Sequence, residues 1–187
     1  VDEGTVASFL VNNLQPADRY ALAKLYSEIK HRAASGLSII DLRVFSFFSR
    51  HIDPAAGFFL SEIIACLLEK KPFLTGAQEI VRDYVHPEDL FDLVRRCAGL
   101  HGVNCALDVY SSAPVTKSEI LNYFATEWGL AVEYRDGAGG VAASGCKDIY
   151  CSSNTVARDV CGYQPRYGSL DAIAGETAAL MEMADRT

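Results

Sequence analysis

The stretch Ser38-Ile-Ile-Asp-Leu-Arg-Val-Phe-Ser-Phe-Phe48 is rich in β-branched and aromatic residues, which favour extended backbone. We predict a strand here, with a helix before it and a helix after it. Apolar residues repeat at intervals of three and four over residues 16–36, and an apolar helix is predicted over residues 58–70. Because side chains alternate along a strand, three apolar residues of the stretch share one face: Ile40, Leu42 and Val44.

The rest of the chain keeps alternating between helical and extended patterns. One helix is predicted from Pro87 to Gly99, and another from Thr116, which opens a Thr-x-x-Glu capping box, to Gly129. Two more helices close the chain around a Gly-Tyr-Gln-Pro turn. Further strands are predicted over residues 105–111, 131–135 and 147–152, with a glycine-rich loop over 136–145. This alternation predicts an α/β fold with parallel strands.

Composition is typical of a soluble globular protein. Of the 187 residues, 50% are hydrophobic and 22% are charged, which is too apolar for disorder. The net charge of −7 argues against nucleic-acid binding, and no apolar run approaches the roughly 18 residues of a membrane span. The first eight residues lack the basic start and apolar centre of a signal peptide, and a start without Met suggests a fragment.

The six cysteines fall at irregular spacings, without a Cys-x-x-Cys pair. A zinc site of the common kind needs paired short spacings. We therefore expect reduced, mostly structural thiols, no metal and a cytoplasmic location.

Tyr20 and Lys24 lie four residues apart in the first predicted helix, which places them on one face with Cβ atoms about 5–6 Å apart. A phenol ionises near pH 10, so it acts as a base at neutral pH only if something stabilises the phenolate. An ammonium about 5 Å away supplies about 3 kcal/mol at an effective dielectric of about 20. The pair suits proton abstraction from a hydroxyl as hydride leaves the adjacent carbon. The alternative is a tyrosine beside a solvated lysine, and the spacing alone does not distinguish the two.

Three motifs follow one another in the chain: Tyr20-Ala-Leu-Ala-Lys24-Leu-Tyr-Ser-Glu28, Gly36-Leu-Ser-Ile-Ile-Asp-Leu-Arg43-Val-Phe, and Arg82-Asp-Tyr-Val-His-Pro-Glu-Asp89. Together they resemble the extended short-chain dehydrogenase/reductase family, the NAD-dependent nucleotide-sugar epimerases and dehydratases. Weaker similarity continues to the last helix. The resemblance implies the C-terminal part of a Rossmann-like doubly wound sheet plus a small α/β substrate-binding domain.

The resemblance also implies a division of the chain. Residues 1–52 would carry the catalytic helix and a late strand of the dinucleotide-binding domain. Residues 53–187 would form mainly the substrate-binding domain, with a strand near 105–111 returning to the main sheet.

Roles for individual residues follow from the same resemblance. Tyr20 would be the acid–base, and Lys24 would favour its ionised form; both would contact the nicotinamide ribose of NAD or NADP. Arg82 would bind the sugar-nucleotide phosphate, which suits a planar guanidinium. Ser46 stands where relatives carry a substrate-holding amide.

The third motif also admits structural interpretations. Arg82 could instead be solvated or pair with Asp83 or Glu88. We expect His86 to cap or pack the following helix, and Asp89 to serve as a helix-terminal charge or a structural contact.

The chain departs from the family pattern in several places. The Gly-Pro turn expected after Ser46 is absent, and only Lys147 lies near the position of a second phosphate-binding arginine. Residues 137–142, Gly-Ala-Gly-Gly-Val-Ala, formally fit a dinucleotide loop, but no apolar-periodic helix follows, so we interpret them as a loop. The family's catalytic Ser/Thr has no clear counterpart; Ser8 is a remote candidate.

We therefore expect an enzyme that oxidises a sugar hydroxyl with NAD, lets the ketosugar epimerise or lose water, and returns the hydride. The family implies a homodimer through the Tyr20 helix. Without the glycine-rich cofactor loop, the 187 residues alone are not expected to bind NAD tightly or to turn over. The alternatives are a catalytically idle module that binds a sugar nucleotide and a structural α/β domain without a ligand.

Overall fold

The computed structural model describes residues 4–16, 18–135, 148–153 and 155–186. Its helices are α1 Asp18–Ala33, α2 Phe59–Glu69, α3 Pro87–Ala98, α4 Lys117–Trp128, α5 Val156–Cys161 and α6 Ser169–Ala184. Its strands are β1 Ile39–Val44, β2 Ser46–Phe47, β3 Phe73–Thr75, β4 Val81–Arg82, β5 Tyr84–Val85, β6 Asn104–Val109, β7 Val115–Thr116, β8 Val132–Tyr134 and β9 Ile149–Tyr150. Short 3-10 turns lie at Val11–Asn13 and Pro54–Ala56.

Most strand pairs are parallel, which confirms the predicted α/β class. β1 pairs with β6, β2 with β5, β3 with β8, and β4 with β9, all in parallel. β7 joins the other edge of β4 in antiparallel orientation. Parallel strands need long crossovers, and the helices between the strands supply them.

The stretch predicted as a single strand over residues 38–48 is divided by a change of partner. β1 follows β6 in register from Ile39 to Val44, and β2 then pairs with β5. The predicted shared face is buried only in part. Ile40 and Leu42 pack against the core, whereas Val44, at the end of β1, is 40% exposed.

Helices cover both faces of the β1–β6 pair. Ile40 and Leu42 lie on the side of α3 and α5, and the alternate β1 residues Asp41 and Arg43 reach α1. Arg43 binds both carboxylate oxygens of Glu28, at 2.9 and 2.6 Å. The contact between α1 and the sheet is therefore largely polar, which the apolar period of α1 did not indicate.

The helix α1 leaves much of its apolar surface in solvent. Leu22 and Leu25 are half-buried, whereas Tyr26 and Ile29 are 64% and 56% exposed. No residue of α1 is fully buried. The predicted amphipathic helix thus forms, but three of the apolar residues that repeat along it, Tyr26, Ile29 and Ala33, are exposed.

Two apolar clusters form the core. The larger joins α2, α4 and α6 with β3, β5 and β7, and the smaller joins β6 with α3 and α5. The predicted capping box closes the start of α4, where the Thr116 hydroxyl accepts from the Glu119 N–H and Glu119 accepts from the Thr116 N–H. Gly129 ends α4 at φ 68°, a left-handed conformation that favours glycine.

Candidate active site

The side chains of Tyr20 and Lys24 lie together in the first turns of α1. The Lys24 Nζ is 5.5 Å from the centroid of the Tyr20 ring, and Tyr20 is 73% exposed. Both polar groups are accessible rather than sealed in apolar packing. A ligand can therefore reach the phenol and the ammonium from the same side.

A second Tyr–Lys pair on α1 has the same internal geometry. The Lys30 Nζ is also 5.5 Å from the ring of Tyr26, which is 64% exposed. Sequence reasoning overlooked this pair, although its spacing is identical. The distance within a pair therefore does not mark a site, and what surrounds each tyrosine has to distinguish them.

Tyr20 differs from Tyr26 in lying near a tyrosine that another element supplies. Tyr150 of β9 lies near Tyr20: burial raises the pKa of the Tyr150 phenol, the charge of Tyr20 raises it further, and Arg82 lowers it. The Tyr150 ring also packs against Phe45, with centroids 4.9 Å apart. The sequence predicted the β9 strand but did not single out Tyr150.

Arg82 lies beside Tyr150 because β4 and β9 pair in parallel with these two residues in register. Its Nη1 donates to the carbonyls of Val81, at 2.8 Å, and Asp148, at 3.4 Å. These bonds hold a half-buried guanidinium on the same side of the sheet as Tyr150.

The acidic neighbours that the sequence offered to Arg82 are engaged elsewhere. Asp83 is buried and accepts from the Ser111 N–H at 3.0 Å, and Glu88 accepts from the Arg166 guanidinium at 3.1 Å. Neither of the ion pairs considered as alternatives for Arg82 is therefore formed.

A buried carboxylate lies behind this group. Asp108 of β6 is fully buried; it accepts a hydrogen bond from the Ser152 hydroxyl at 2.8 Å and lies 3.8 Å from the Arg43 guanidinium. The charge of Asp108 also acts on the Tyr150 phenol. The sequence predicted this strand from its apolar residues and did not indicate a role for Asp108.

The other candidates from the sequence occupy separate places. Ser46 begins β2, half-buried and in register with Tyr84. Ser8 is exposed in the segment before the first 3-10 turn. Lys147 and residues 137–142 lie outside the described residues.

The remainder of the Arg82–Asp89 motif is structural. The His86 Nδ1 accepts from the Glu88 N–H at 3.1 Å, which confirms the predicted cap of α3. The buried Asp89 accepts from the backbone N–H groups of Arg166 and Tyr167, at 2.9 and 3.0 Å. The predicted structural contact of Asp89 is thus confirmed, with partners almost 80 residues away.

A groove of about 590 Å³ lies apart from Tyr20, where the segment after β2 meets α6. The ion pair of Arg50 with Glu176 forms part of its wall. Its lining includes none of Tyr20, Lys24, Arg82 or Tyr150, so we do not assign the substrate to it. The lining residues are Phe47, Ser49, Arg50, His51, His86, Pro87, Glu88, Tyr167, Gly175 and Glu176.

Within residues 4–16, 18–135, 148–153 and 155–186, no group of three or more His, Cys, Asp or Glu side chains is arranged to hold a metal ion. Over the same ranges, no helix is both long enough and apolar enough to cross a membrane.

Solved structures of nucleotide-sugar enzymes share this fold. MoeE5 in complex with UDP-glucose and NAD matches with a TM-score of 0.74 and 21% identity, over 97% of this chain and 62% of its own. The dTDP-glucose 4,6-dehydratase of Bacillus anthracis in complex with NAD matches with a TM-score of 0.74 and 17% identity, over 98% and 55%. The UDP-glucuronic acid 4-epimerase of Bacillus cereus, in complex with UDP-glucuronic acid and NAD, matches with a TM-score of 0.71 and 16% identity, over 96% and 58%.

The chain thus spans 55–62% of the length of these structures. A comparison with curated protein sequences gives no significant match. A family model, in contrast, matches residues 4–100, which is more than half of the chain. The chain belongs to the NAD dependent epimerase/dehydratase family.

Proposed function

We propose that this chain serves an NAD-dependent epimerase or dehydratase that acts on a nucleotide sugar. The observation that carries the proposal is that Tyr20, with Lys24 beside it, lies near enough to Tyr150 for its charge to act on that phenol, and that Tyr150 is paired in register with Arg82. This supports a site that combines a candidate acid–base with a candidate phosphate-binding cation. The similar structures that hold UDP-glucose, UDP-glucuronic acid and NAD support the substrate class and the cofactor.

In this proposal Tyr20 moves the proton. Its phenolate oxygen accepts the proton of a sugar hydroxyl as the C–H bond of the same carbon is oxidised, and it returns that proton in the reverse step. The Lys24 ammonium, whose Nζ is 5.5 Å from the ring centroid, stabilises the phenolate that exists before the proton is taken up and after it is returned. When bound, NAD supplies reversible hydride transfer.

The other residues bind rather than react. The planar guanidinium of Arg82 suits a bidentate contact with a phosphate oxygen pair. The Tyr150 ring, packed on Phe45, forms a wall next to Tyr20 for the sugar. The Ser46 hydroxyl, at the start of β2, is the remaining candidate for a substrate hydrogen bond.

Tyr20 and Lys24 also fit the cofactor. Their phenol and ammonium are exposed on one face and provide a hydrogen-bonding hydroxyl and a cation for ribose hydroxyls. We assign no described residue to contacts with the parts of NAD beyond these ribose hydroxyls. We therefore propose that residues 1–187 alone bind NAD weakly and do not turn over.

The proposal also divides the chain between two domains. Residues 1–52 would belong to the dinucleotide-binding domain and residues 53–187 mainly to the substrate-binding domain, with β6 returning to the main sheet beside β1. A homodimer through α1 is also proposed, and the exposed Tyr26 and Ile29 side chains support it.

A substrate panel tests the function. The complete protein is incubated with NAD and, separately, with UDP-glucose, UDP-glucuronic acid and dTDP-glucose, and melting temperature and products are followed. We expect at least one sugar nucleotide to raise the melting temperature and to be converted. Binding without conversion would favour the idle binding module, and absence of both would overturn the proposal.

A further inference from the structure

A row of charged and polar side chains, here called the polar row, crosses the β1–β6 pair on the side of α1. Arg43 of β1 and Asp108 of β6 are register partners, so their side chains lie next to each other on one face of the sheet. The Arg43 Nη1 is 3.8 Å from an Asp108 carboxylate oxygen. On one side of this pair, Glu28 of α1 accepts from the Arg43 Nε at 2.9 Å and Nη2 at 2.6 Å. On the other side, the Ser152 hydroxyl donates to Asp108 at 2.8 Å.

The polar row ends at two segments of the candidate site. Glu28 follows Tyr20 by about two turns of α1 and Lys24 by one, so the three side chains succeed one another along one face of the helix. At the other end, Ser152 lies two residues after Tyr150. The charge of Tyr20 acts on the Tyr150 phenol. The polar row therefore connects the helix of the proposed acid–base with the segment that carries its neighbour.

Polar contacts of this kind determine where α1 lies on the sheet. α1 has no fully buried residue, and the two apolar clusters of the described residues include none of its side chains. The Glu28 and Arg43 side chains are only 21% and 33% exposed, so water competes little for their two bonds. A guanidinium that binds both oxygens of a carboxylate also fixes the orientation of the two planar groups. The pair thus constrains the placement of α1 as well as its stability.

A second group of ion pairs joins α1 to β1 at the end of the helix away from Tyr20. Asp41 accepts from the Arg32 Nη2 at 2.6 Å and lies 2.8 Å from the His31 Nδ1. The Asp41 side chain is 20% exposed, almost the same as that of Glu28. Its two partners lie in the last turn of α1, eleven and twelve residues after Tyr20. This group holds the same helix to the same strand without belonging to the polar row, and it provides a matched comparison.

We propose that Glu28 and Arg43 are positioning residues for Tyr20. This inference rests on the proposed role of Tyr20 as the acid–base. The two bonds from Arg43 hold Glu28 and, with it, the helix that presents the phenol, while Asp108 holds the same guanidinium from the neighbouring strand. A misplacement of about 1 Å can lower the rate of a reaction about 100-fold. Loss of this contact should therefore lower turnover beyond what the loss of stability explains.

Matched truncations at the two contacts of α1 test the proposal. In the complete protein with NAD and its sugar nucleotide, Glu28→Ala and Asp41→Ala each remove a carboxylate that binds across the α1–β1 contact. We expect both to lower the melting temperature by similar amounts. Only Glu28→Ala should lower kcat, by about 10- to 100-fold, with KM for the sugar nucleotide within about threefold of the parent. An equal loss of kcat in the two variants, or no loss in Glu28→Ala, would overturn the proposal.

A double variant tests whether Glu28 and Arg43 act as one unit. Arg43→Met should lower kcat as Glu28→Ala does, and the variant with both changes should lose about as much as Arg43→Met alone, because both changes remove the same contact. Losses that multiply would overturn the proposal.

Tyr20→Phe separates this inference from the proposed function. If Tyr20→Phe keeps the kcat of the parent, Tyr20 is not the acid–base, and the proposed function fails together with the positioning role. If Tyr20→Phe loses turnover while Glu28→Ala keeps it, the positioning role alone is overturned.

Discussion

The ion pair of Arg50 with Glu176 offers a quantitative test of the structure. The Glu176 side chain is only 4% exposed, and its carboxylate accepts three bonds from Arg50, from the backbone N at 2.8 Å, Nε at 3.0 Å and Nη2 at 2.7 Å. Replacing Arg50 with Met removes the two guanidinium bonds and leaves a buried carboxylate with one backbone donor. Loss of one partner of a buried pair costs about 3–5 kcal/mol. Because the Arg50 side chain is 43% exposed, water can replace some of the hydrogen bonds that Glu176 loses. We therefore expect the free energy of unfolding to fall by about 2–3 kcal/mol.

The loss of stability caused by Arg50→Met should become smaller as the pH falls. The hydrogen bond from Arg50 lowers the pKa of the Glu176 carboxyl against the effect of burial. In the parent protein the stabilisation is fully present above the unfolded-state value of about 4.3 and is lost as pH falls through the lower folded-state value. In Arg50→Met burial remains, so Glu176 takes up a proton at higher pH. The difference in stability between the two proteins should therefore shrink between pH about 7 and about 4.

Urea unfolding followed by circular dichroism measures both effects. Arg95→Met is a control, because Arg95 binds Asp92 at 2.7 Å while 65% exposed, and surface pairs contribute less than about 1 kcal/mol. In a Glu176→Gln background, Arg50→Met should cost less, because no buried charge remains. An Arg50→Met loss that is no larger than that of Arg95→Met, or one that grows toward acid pH, would refute the reasoning.

Three further predictions concern the candidate site and its support. Arg82→Met should weaken UDP binding about 10- to 100-fold in calorimetry, because it removes a charged contact with a phosphate, and Arg82→Lys should give an intermediate affinity. Equal affinity of the parent and both variants would remove Arg82 from the site. Asp89→Ala should lower the free energy of unfolding by about 2 kcal/mol in urea titrations, because the backbone N–H groups of Arg166 and Tyr167 lose their acceptor. Tyr150→Phe should keep kcat/KM within about threefold and Tyr150→Ala should lower it at least about tenfold, since we assign the ring a packing role; the reverse order would point to the hydroxyl instead.

Local signals in the sequence predicted local structure well. The Thr116 box, Gly129 and the His86 cap each depend on contacts within a few residues, so their chemistry can be recognised without the fold. The alternation of apolar periods was likewise sufficient for the α/β class. The break between β1 and β2 was missed because it reflects a change of strand partner, which no local pattern encodes.

The candidate site was predictable only where a resemblance supplied it. Tyr20, Lys24 and Arg82 stand in recognisable motifs. Tyr150 acquires its importance from register with Arg82, and Asp108 from burial beside Ser152, and both depend on pairings between distant segments. The second pair, Tyr26 and Lys30, shows that spacing on a helix does not identify a site without those pairings.

The two tyrosines of α1 give the most direct test of the central claim that Tyr20 is the acid–base. Turnover of the complete protein on its best sugar nucleotide with NAD is measured for Tyr20→Phe and Tyr26→Phe, each of which removes one hydroxyl from a tyrosine whose ring lies 5.5 Å from a lysine ammonium. We predict that Tyr20→Phe lowers kcat by about 100-fold or more with substrate affinity retained, the range of a lost acid–base group, and that Tyr26→Phe stays near the parent. Equal turnover in the two variants would contradict the account.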